Sequence, residues 1–544
     1  MADSNKTRRF KKSATLTLAL VLICTLVLSA CSSNSNSGSG TDTGSTGDGN
    51  SSKEAPVTLK VEVFDRGASG VNVTNNWETQ FVNESFGKPN NINVQYVPVP
   101  RSEEVQKLNV LMASGGDVPD IVFTYDTPTF NRYAEQGGLT DLAQLLDQHG
   151  PDLKKFLGDD TLAYGQFDGK QYAIPAKRAN LGKYASAIRK DWLDKLGLPV
   201  PKTTDELYNT LVAFKEKDPG KTGGKVIPLG MTIAPAQIDP LVWSFIQPTT
   251  DEQKYTLTQR LGSNDFPILL PGFKDALQFM NKLYNAGLMS KDFSLDKDKK
   301  QMGQDISNGL VGFFSEDDIN PYYPDGMLTT LDKNVPGANM IPVDAYSNSE
   351  GKHPKPRYAP NGMYIMIPKS SERAAEAIKY LNWMASGDNL MKMQNGIEGE
   401  NYTLNKDGIP VAKPDASDAV KKRLATAGDM AIVSNGMQFG SDEKNREANS
   451  LKMDPKYQEK ALEALNISNS DTFPPVLTSK PIEAETKYGT TLEDKYYTLI
   501  VKTTMVKPNQ FESTYEAMIK DYMQSGGQAI LDERTADWKA QQSK

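Results

Sequence analysis

The stretch LKVEVFDRG, residues 59–67, alternates apolar and polar side chains over its first part and then breaks at a charged turn that ends in glycine. Alternation with a period of two is typical of a β-strand with one buried face. Residues 92–97, INVQYV, repeat this pattern, and the apolar run IVF at 121–123 is typical of a buried parallel strand. Apolar residues at helical spacing fill both intervals. Strand, helix, strand, helix and strand in this order predict an α/β unit.

The ends of the first and third predicted strands carry polar side chains. Asp65 and Arg66 follow the first strand, and Asp126 follows the third. Because ligands of parallel sheets collect beyond the carboxyl ends of the strands, we expect these three residues to contact a ligand. For Asp65 and Arg66 a surface ion pair is the alternative, since such pairs are common.

Further strand patterns at 184–189, 309–314 and 363–367 are separated by long helical blocks, and the end of the chain has a helical pattern. This order predicts two α/β lobes that the chain crosses more than once. The expected bounds are 55–178 with about 305–365 for lobe 1, 184–304 with about 366–500 for lobe 2, and 501–544 for C-terminal helices.

The first thirty residues have the pattern of a secretory signal peptide. A cluster of Lys and Arg at 6–12 precedes an apolar run at 14–28, and the sequence LSAC at 28–31 looks like a bacterial lipobox. We therefore expect residues 1–30 to be removed and Cys31 to be lipidated. Residues 31–54 are mainly Ser, Gly, Asn and Thr, a composition that predicts a flexible tether.

Composition excludes several classes of function. The net charge of −7 becomes more negative once the basic leader is removed, which argues against nucleic acid or anionic lipid as a partner. Cys24 leaves with the leader and Cys31 is lipidated, so no disulfide is expected. The two histidines, His149 and His353, do not have a metal-ligand spacing. We expect no cofactor, no metal and no enzyme activity, although a carboxylate pair could still serve a glycosidase.

Four motifs carry a resemblance to a known family. LMASGGDVPDI at 111–121, RKDWLDKLG at 189–197, IPKS at 367–370 and GIEG at 396–399 resemble stretches of the extracellular solute-binding proteins, family 1, that serve carbohydrate ABC importers. The second motif is the most specific, and the length and lipobox look like those of the large Gram-positive lipoproteins. The resemblance implies a two-lobed, type II periplasmic-binding-protein-like α/β fold. Such a fold has a ligand cleft between the lobes and closes by a hinge.

The resemblance also directs attention to a loop. Relatives often carry a calcium loop of the form Asp-x-Asn-x-Asn-Gly followed by an acidic pair, which supplies oxygen ligands at alternate positions. Here residues 218–228 read DPGKTGGKVIP, so only the first aspartate and the Ile-Pro ending remain. Lys225 and Val226 stand where the acidic pair would be. We expect no calcium in this loop.

Sugar clefts combine aromatic plates with polar side chains, because sugars present both apolar faces and hydroxyls. Relatives often place a stacking aromatic near Trp243, for which core packing is the alternative. The loop of Glu398 and Tyr402 implies a ligand or hinge role, with a solvated turn as the alternative for Glu398. Arg178 precedes the crossover strand and is a further ligand candidate, with a solvated face as the alternative. Helix stripes predict core positions for two other tryptophans, Trp192 and Trp383.

Together these features predict a monomeric lipoprotein, anchored on the extracellular face of the cell membrane, that captures a carbohydrate, most simply an oligosaccharide. ABC permease subunits in the membrane would be its partners. The alternatives are a surface glycosidase that uses a carboxylate pair, a peptide-binding member of the same machinery, and an adhesin.

Overall fold

Two β-sheets, each covered by helices, organise the chain in the computed structural model, and residues 55–544 form one compact unit. The structure describes residues 55–68, 70–114, 118–262, 264–347, 351–478 and 480–543. The predicted signal peptide, Cys31 and the tether lie outside these residues. In the part of the chain that is described, none of the helices combines the length and the apolar character needed to cross a membrane.

The strands are β1 (Val57–Asp65), β2 (Ile92–Pro100), β3 (Val122–Thr124), β4 (Gln166–Phe167), β5 (Lys170–Gln171), β6 (Ala173–Arg178), β7 (Tyr184–Arg189), β8 (Ile227–Gly230), β9 (Gln259–Leu261), β10 (Asn264–Phe266), β11 (Val311–Asp317), β12 (Met340–Val343), β13 (Lys355–Pro356), β14 (Asn361–Met366), β15 (Tyr402–Leu404), β16 (Pro410–Ala412), β17 (Ser434–Asn435) and β18 (Thr472–Phe473).

The α-helices are α1 (Trp77–Val82), α2 (Lys88–Asn90), α3 (Glu104–Ser114), α4 (Thr127–Glu135), α5 (Ala143–His149), α6 (Pro151–Leu157), α7 (Asp159–Leu162), α8 (Lys190–Leu196), α9 (Thr204–Lys217), α10 (Pro235–Ser244), α11 (Asp251–Leu257), α12 (Phe273–Asn285), α13 (Lys300–Ser307), α14 (Met327–Asn334), α15 (Ala374–Ala385), α16 (Asn389–Asn395), α17 (Asp418–Lys422), α18 (Ala427–Met430), α19 (Asp442–Ser450), α20 (Gln458–Asn469), α21 (Glu483–Met505), α22 (Phe511–Tyr522) and α23 (Gln528–Gln542).

The sheet of lobe 1 has the strand order β17-β6-β14-β3, and the parallel pair β1 and β2 joins it through a bridge from Val61 to Ile121. Its central strand β14 is buried along its whole length. Met363 and Ile365 pack into one core, with α5, α6 and α15, while Tyr364 and Met366 pack into a second core beside α4. Alternation of side chains across a pleated strand explains this division, because successive residues point to opposite faces.

The sheet of lobe 2 has the order β12-β7-β11-β8. β7 is antiparallel to both of its neighbours, and β8 is parallel to β11. Trp192 of α8 is fully buried in the main core of this lobe, where its ring meets Phe214 of α9 edge to face at 5.2 Å. Trp383 packs against the core of lobe 1. Both tryptophans occupy the core positions that their helix stripes predict.

The lobe membership of the second half of the chain differs from the expectation. β11, expected in lobe 1, pairs with β7 and β8 of lobe 2. β14 and α15, the latter expected in lobe 2, belong to the sheet and core of lobe 1. About 305–343 therefore belongs to lobe 2 and 361–435 to lobe 1. β11 is buried over most of its length, and such a buried pattern does not reveal the strands with which it pairs.

The helical C-terminal region is also longer than expected. It begins at Glu483, the first residue of α21, rather than at residue 501. Leu492, Tyr496 and Ile500 of α21, together with Ile530 of α23, are buried in the main core of lobe 2. The terminal helices are therefore part of that lobe and not an appendage to it.

Candidate functional site between the two sheets

The directions of the strands determine which edges of the two sheets meet at the candidate site. In lobe 1, β1, β3 and β6 run parallel and their carboxyl ends share one edge of the sheet. In lobe 2, the carboxyl ends of β8, β11 and β12 share an edge with the start of β7. Residues 179–183 connect the end of β6 to the start of β7 and so bring these two edges together. Further crossings run through residues 344–360 and beyond β17, which agrees with the prediction of repeated crossing.

A cleft of about 750 Å³ opens where these edges meet. Residues from both sheets and from the crossing segments line it: Arg178, Lys183, Asp317, Asp318, Tyr358 and Asn435 are among them. Cations, carboxylates, an amide and an aromatic ring therefore face one space. This is the mixture of groups that binds a polar ligand with apolar faces.

Tyr358 lies at the centre of this arrangement. The guanidinium carbon of Arg178 is 4.4 Å from the centroid of the Tyr358 ring, and the Nζ atom of Lys183 is 5.0 Å from it. The Tyr358 backbone N–H donates to the carbonyl of Leu181 at 2.8 Å, which ties one crossing segment to another. The segments that cross between the lobes therefore hold this ring in place.

Asn435 links the ends of several strands of lobe 1. Its Oδ1 accepts a hydrogen bond from Nη1 of Arg178 at 3.1 Å, and its Nδ2 donates to the hydroxyl of Tyr125 at 3.1 Å. The Nε of Arg178 donates to the carbonyl of Asn361 at 3.3 Å. These bonds orient Arg178 toward the cleft. Burial lowers the pKa of its guanidinium, although the group stays charged.

Acidic groups on the lobe 2 side have distinct surroundings. Oδ2 of Asp318 accepts from Asn180 and Ser468, at 2.9 and 2.8 Å. Burial nevertheless raises the pKa of Asp318 to about 6. Asp239, on α10, has no hydrogen bond or ion pair with another described residue, and burial raises its pKa to about 7 while the charge of Lys183 opposes that rise. A carboxylate without a partner beside a cleft is available to accept from a hydroxyl.

Two glycines allow the crossing segments to approach closely. A Cβ atom on Gly182 would lie 2.2 Å from Oγ of Ser468, which is far inside contact distance. Gly436 has a φ of +95°, in the region that only glycine adopts without strain, and its Cβ would lie 3.0 Å from that of Ala179. The back of the cleft is therefore built from tightly packed backbone.

Asp65, Arg66 and Asp126 lie at the predicted edge, but local partners engage each of them. Arg66 forms a bidentate ion pair with Asp429, at 2.7 and 2.8 Å, as the alternative prediction had it. Asp65 accepts from the N–H of Gly67, and Asp126 caps α4 by accepting from the N–H of Thr129. None of the three lines the cleft cavity. Of the residues predicted to bind ligand, Arg178 lines it.

The prediction that Trp243 stacks on a ligand is wrong. Its side chain is 3% exposed and packs in the main core of lobe 2, with its ring centroid 5.0 Å from that of Phe473. Trp243 lies one helical turn beyond Asp239 on α10, so the residue predicted from the sequence is a near neighbour of this candidate carboxylate. Trp243 is packed in the core, whereas Asp239 on the same helix is only partly buried.

Glu398 and Tyr402 lie together but away from the cleft lining. Glu398 is exposed and forms an isolated backbone bridge with Tyr402. Tyr402 is buried and borders a separate cavity of about 1050 Å³ beside β17. The solvated turn, which was the alternative for Glu398, describes its position.

Sequence reasoning missed several residues around the cleft: Lys183, Asp239, Asp317, Asp318, Tyr358 and Asn435. Lys183 is five positions beyond Arg178 across the predicted crossover, so the crossover itself was a usable signal. Tyr323, which is 40% exposed just beyond the turn Asn320–Tyr322, is another aromatic side chain near this edge. Tyr358 and Asn435 come from distant segments and carried no local signal.

The described ranges contain no group of three or more His, Cys, Asp or Glu side chains that could hold a metal ion. In the altered loop, Asp218 uses its carboxylate for local hydrogen bonds. Oδ1 accepts from the N–H and the hydroxyl of Thr222, both at 2.9 Å, and Oδ2 accepts from the N–H of Gly224 at 3.2 Å. The loop is closed by its own backbone.

Comparison with known proteins agrees with this two-lobed architecture. The profile of the family described as bacterial extracellular solute-binding protein matches residues 71–390. The chain belongs to this family. The expected family and fold class are confirmed.

Three similar proteins illustrate the family. Lipoprotein LipO of Bacillus subtilis (strain 168) is 29% identical over 329 residues, which cover 57% of this chain and 61% of LipO. The polygalacturonan/rhamnogalacturonan-binding protein YtcQ of the same strain is 27% identical over 324 residues, with the same coverage of each chain. Each match thus spans less than two thirds of the relative. The solved structure of the S. pneumoniae substrate-binding protein FusA in complex with kestose superposes with a TM-score of 0.61 at 19% identity, covering 89% of this chain and 99% of FusA, and shows the shared fold.

Proposed function

We propose that this protein captures an oligosaccharide in the cleft between its lobes and delivers it to an ABC importer. The observation that carries the proposal is the cleft itself, where an aromatic ring, two cations and the carboxylates of Asp317 and Asp318 face one space. A sugar presents C–H faces to the ring and hydroxyls to the polar groups. The names of YtcQ and of the FusA complex, which both refer to carbohydrates, support this ligand class.

The site residues in this proposal are Arg178, Lys183, Asp239, Tyr358 and Asn435. Arg178 was expected from the sequence, and the other four come from their positions around the cleft. Closure of the lobes about the three crossing segments would bring the edge of lobe 2, with Asp317, toward the edge of lobe 1. Capture of the ligand by this closure makes and breaks no covalent bond.

The proposal extends to the cell surface. A diacylglyceryl group on Cys31 would anchor the chain on the extracellular face of the membrane, and residues 32–54 would let the binding unit move toward permease subunits. The name of the relative LipO supports a lipoprotein. Two or more acyl chains are needed for durable anchoring, since each buried methylene contributes about 0.8 kcal/mol.

Calorimetry with a panel of plant and microbial oligosaccharides tests the proposal. We expect one class to bind, and small-angle scattering to show that the protein becomes more compact when it does. Hydrolysis of the bound sugar over hours would instead identify a glycosidase. Binding of peptides but of no sugar in the panel would contradict the carbohydrate assignment.

A further inference from the structure

Two cations in the cleft have no carboxylate partner. In the described part of the chain neither Arg178 nor Lys183 forms an ion pair. The Nζ of Lys183, whose side chain is only 9% exposed, has a single long hydrogen bond of 3.4 Å, to Oδ1 of Asn264. Arg178 uses Nε and Nη1 for neutral acceptors, which leaves Nη2 without a hydrogen bond. Buried cations are normally paired, because desolvation penalises an unpaired charge.

The two cations are also held close to each other. Both lie over the ring of Tyr358, at 4.4 and 5.0 Å from its centroid, and both line the same cavity. Burial lowers the pKa of Lys183 and the charge of Arg178 adds to that decrease, whereas the charges of Asp239 and Asp265 oppose it. A negative charge placed between them would relieve both effects.

Two neighbouring carboxylates act on Lys183, since the charges of Asp239 and Asp265 raise its pKa, but in the described part of the chain neither forms an ion pair with it. Asp317 faces Lys299, at 3.7 Å, and Asp318 is held by Asn180 and Ser468. Asp239 is near Lys183 but beyond ion-pair distance, and its pKa of about 7 leaves part of the population neutral at neutral pH. The charged groups on the lobe 1 side are paired: Arg66 with Asp429, and Arg101 with Glu104.

We propose that the cleft selects an acidic oligosaccharide, a uronide, whose carboxylate binds between Arg178 and Lys183 while its ring packs against Tyr358. The inference rests on the proposed function and specifies the ligand class of the same site. A guanidinium whose Nη2 amino group is free and an ammonium that makes one long hydrogen bond can both donate to the oxygens of a sugar carboxylate. A neutral sugar would leave both cations uncompensated.

The test measures Kd by calorimetry for oligogalacturonate, oligoalginate and oligoglucuronate, each beside its carboxyl-reduced counterpart, which has the same linkage but no charge. We expect one acid to bind at least about tenfold more tightly than its reduced form. Raising the salt from about 0.01 M to about 1 M shortens the screening length from about 30 to about 3 Å, so it should weaken binding of the acid and not of the neutral sugar.

Variants separate the charge from the shape of the site. Lys183→Met and Arg178→Met should each reduce the preference for the acid by about tenfold, and Arg178→Lys should retain part of it. Lys177→Met is the matched control, since Lys177 precedes Arg178 on β6 but donates to the carbonyl of Phe156 inside lobe 1. The salt series on the unaltered chain gives an answer even where a variant fails to fold.

The outcomes distinguish the two proposals. Equal or tighter binding of every reduced counterpart, or binding of neutral sugars alone, overturns the inference about acidic ligands and leaves the proposed function standing. Failure of all acidic and neutral oligosaccharides to bind overturns the proposed function and this inference together.

Discussion

The guanidinium of Arg178 lies over the ring of Tyr358, 4.4 Å from its centroid, although the two residues belong to different crossings between the lobes. Arg178 ends β6, whereas Tyr358 belongs to the segment that leads into β14. Their contact therefore joins the end of a strand of lobe 1 to one of the segments that cross between the lobes. It places an aromatic plate and a cation at the hinge side of the cleft, where a ligand between the lobes would touch them.

Replacement of Tyr358 tests the aromatic plate. Tyr358→Ala should weaken binding of the ligand found by the oligosaccharide panel by about tenfold or more, because it removes the stacking surface and the support for both cations. Tyr358→Phe, which keeps the ring, should stay within a few-fold of the original Kd. Calorimetry gives both values, and equal affinity for the alanine variant would contradict the role of the ring.

Trp243 should behave as a core residue. Trp243→Ala should reduce the free energy of unfolding by about 3–5 kcal/mol, because it opens a cavity in the main core of lobe 2. Urea denaturation measures this loss. The exposed aromatic Tyr323 is the control, since its replacement by alanine should change stability little. A Trp243→Ala protein of normal stability with weakened ligand binding would restore the ligand-stacking interpretation.

Glu62 should make the protein less stable as the pH rises. Its side chain is 1% exposed in lobe 1, Oε1 has no hydrogen-bond partner, and burial raises its pKa to about 8 from an ordinary value of 4.5. Below pH 4.5 both folded and unfolded states hold the proton, so the group has no effect. Between pH 4.5 and 8 the unfolded state loses it first, which costs about 1.4 kcal/mol of stability per pH unit.

Glu62→Gln should therefore be more stable than the unaltered protein at pH 8 and similar to it at pH 4.5. Urea denaturation at the two pH values measures the difference. Glu84→Gln, at an exposed site paired with Lys88, is the control and should show no such pH-dependent gain. Buried Glu78, with a pKa of about 7, would keep a smaller slope of the same sign in both variants. A gain for Glu62→Gln that did not depend on pH would contradict the assignment.

The loop at Asp218 should not respond to calcium. Its carboxylate is engaged by Thr222 and Gly224, and Lys225 places a positive charge nearby in sequence. The thermal midpoint should be the same in calcium and in chelator. Asp218→Ala should lower it in both conditions by a similar amount, because the loop loses its own hydrogen bonds. A midpoint several degrees higher with calcium would show that the loop, or another site, binds the ion.

Cys31 should be required for attachment to the membrane. Cys31→Ala should release the protein from the membrane fraction into the medium and abolish incorporation of a labelled fatty acid, because the thiol that accepts the lipid is gone. Fractionation and labelling of cells that express the two forms measure this. Ser32→Ala is the control and should remain attached. Retention of the Cys31→Ala form on the membrane would contradict the anchor.

Local patterns in the sequence were sufficient for the elements and for the fold class. The strand patterns at 59–64 and 92–97 are present in the structure as β1 and β2. Polar residues at strand ends also indicated the edge of lobe 1 that borders the cleft. Their roles could not be predicted, because a partner such as Asp429 for Arg66 lies far away in the chain.

The sequence alone determined the α/β class, the family and the packing of Trp192 and Trp383 on their cores, and it indicated Arg178 as a ligand candidate, since each follows from periodicity, motif or position beside a crossover. Only the tertiary structure decided that β11 joins lobe 2, that Trp243 is buried, and that Tyr358, Lys183 and Asn435 gather around Arg178. The reason is physical. Periodicity indicates which face of a helix or strand is buried, whereas a binding site depends on which elements, distant in sequence, meet at one edge of a sheet. That choice is made by packing of the whole chain.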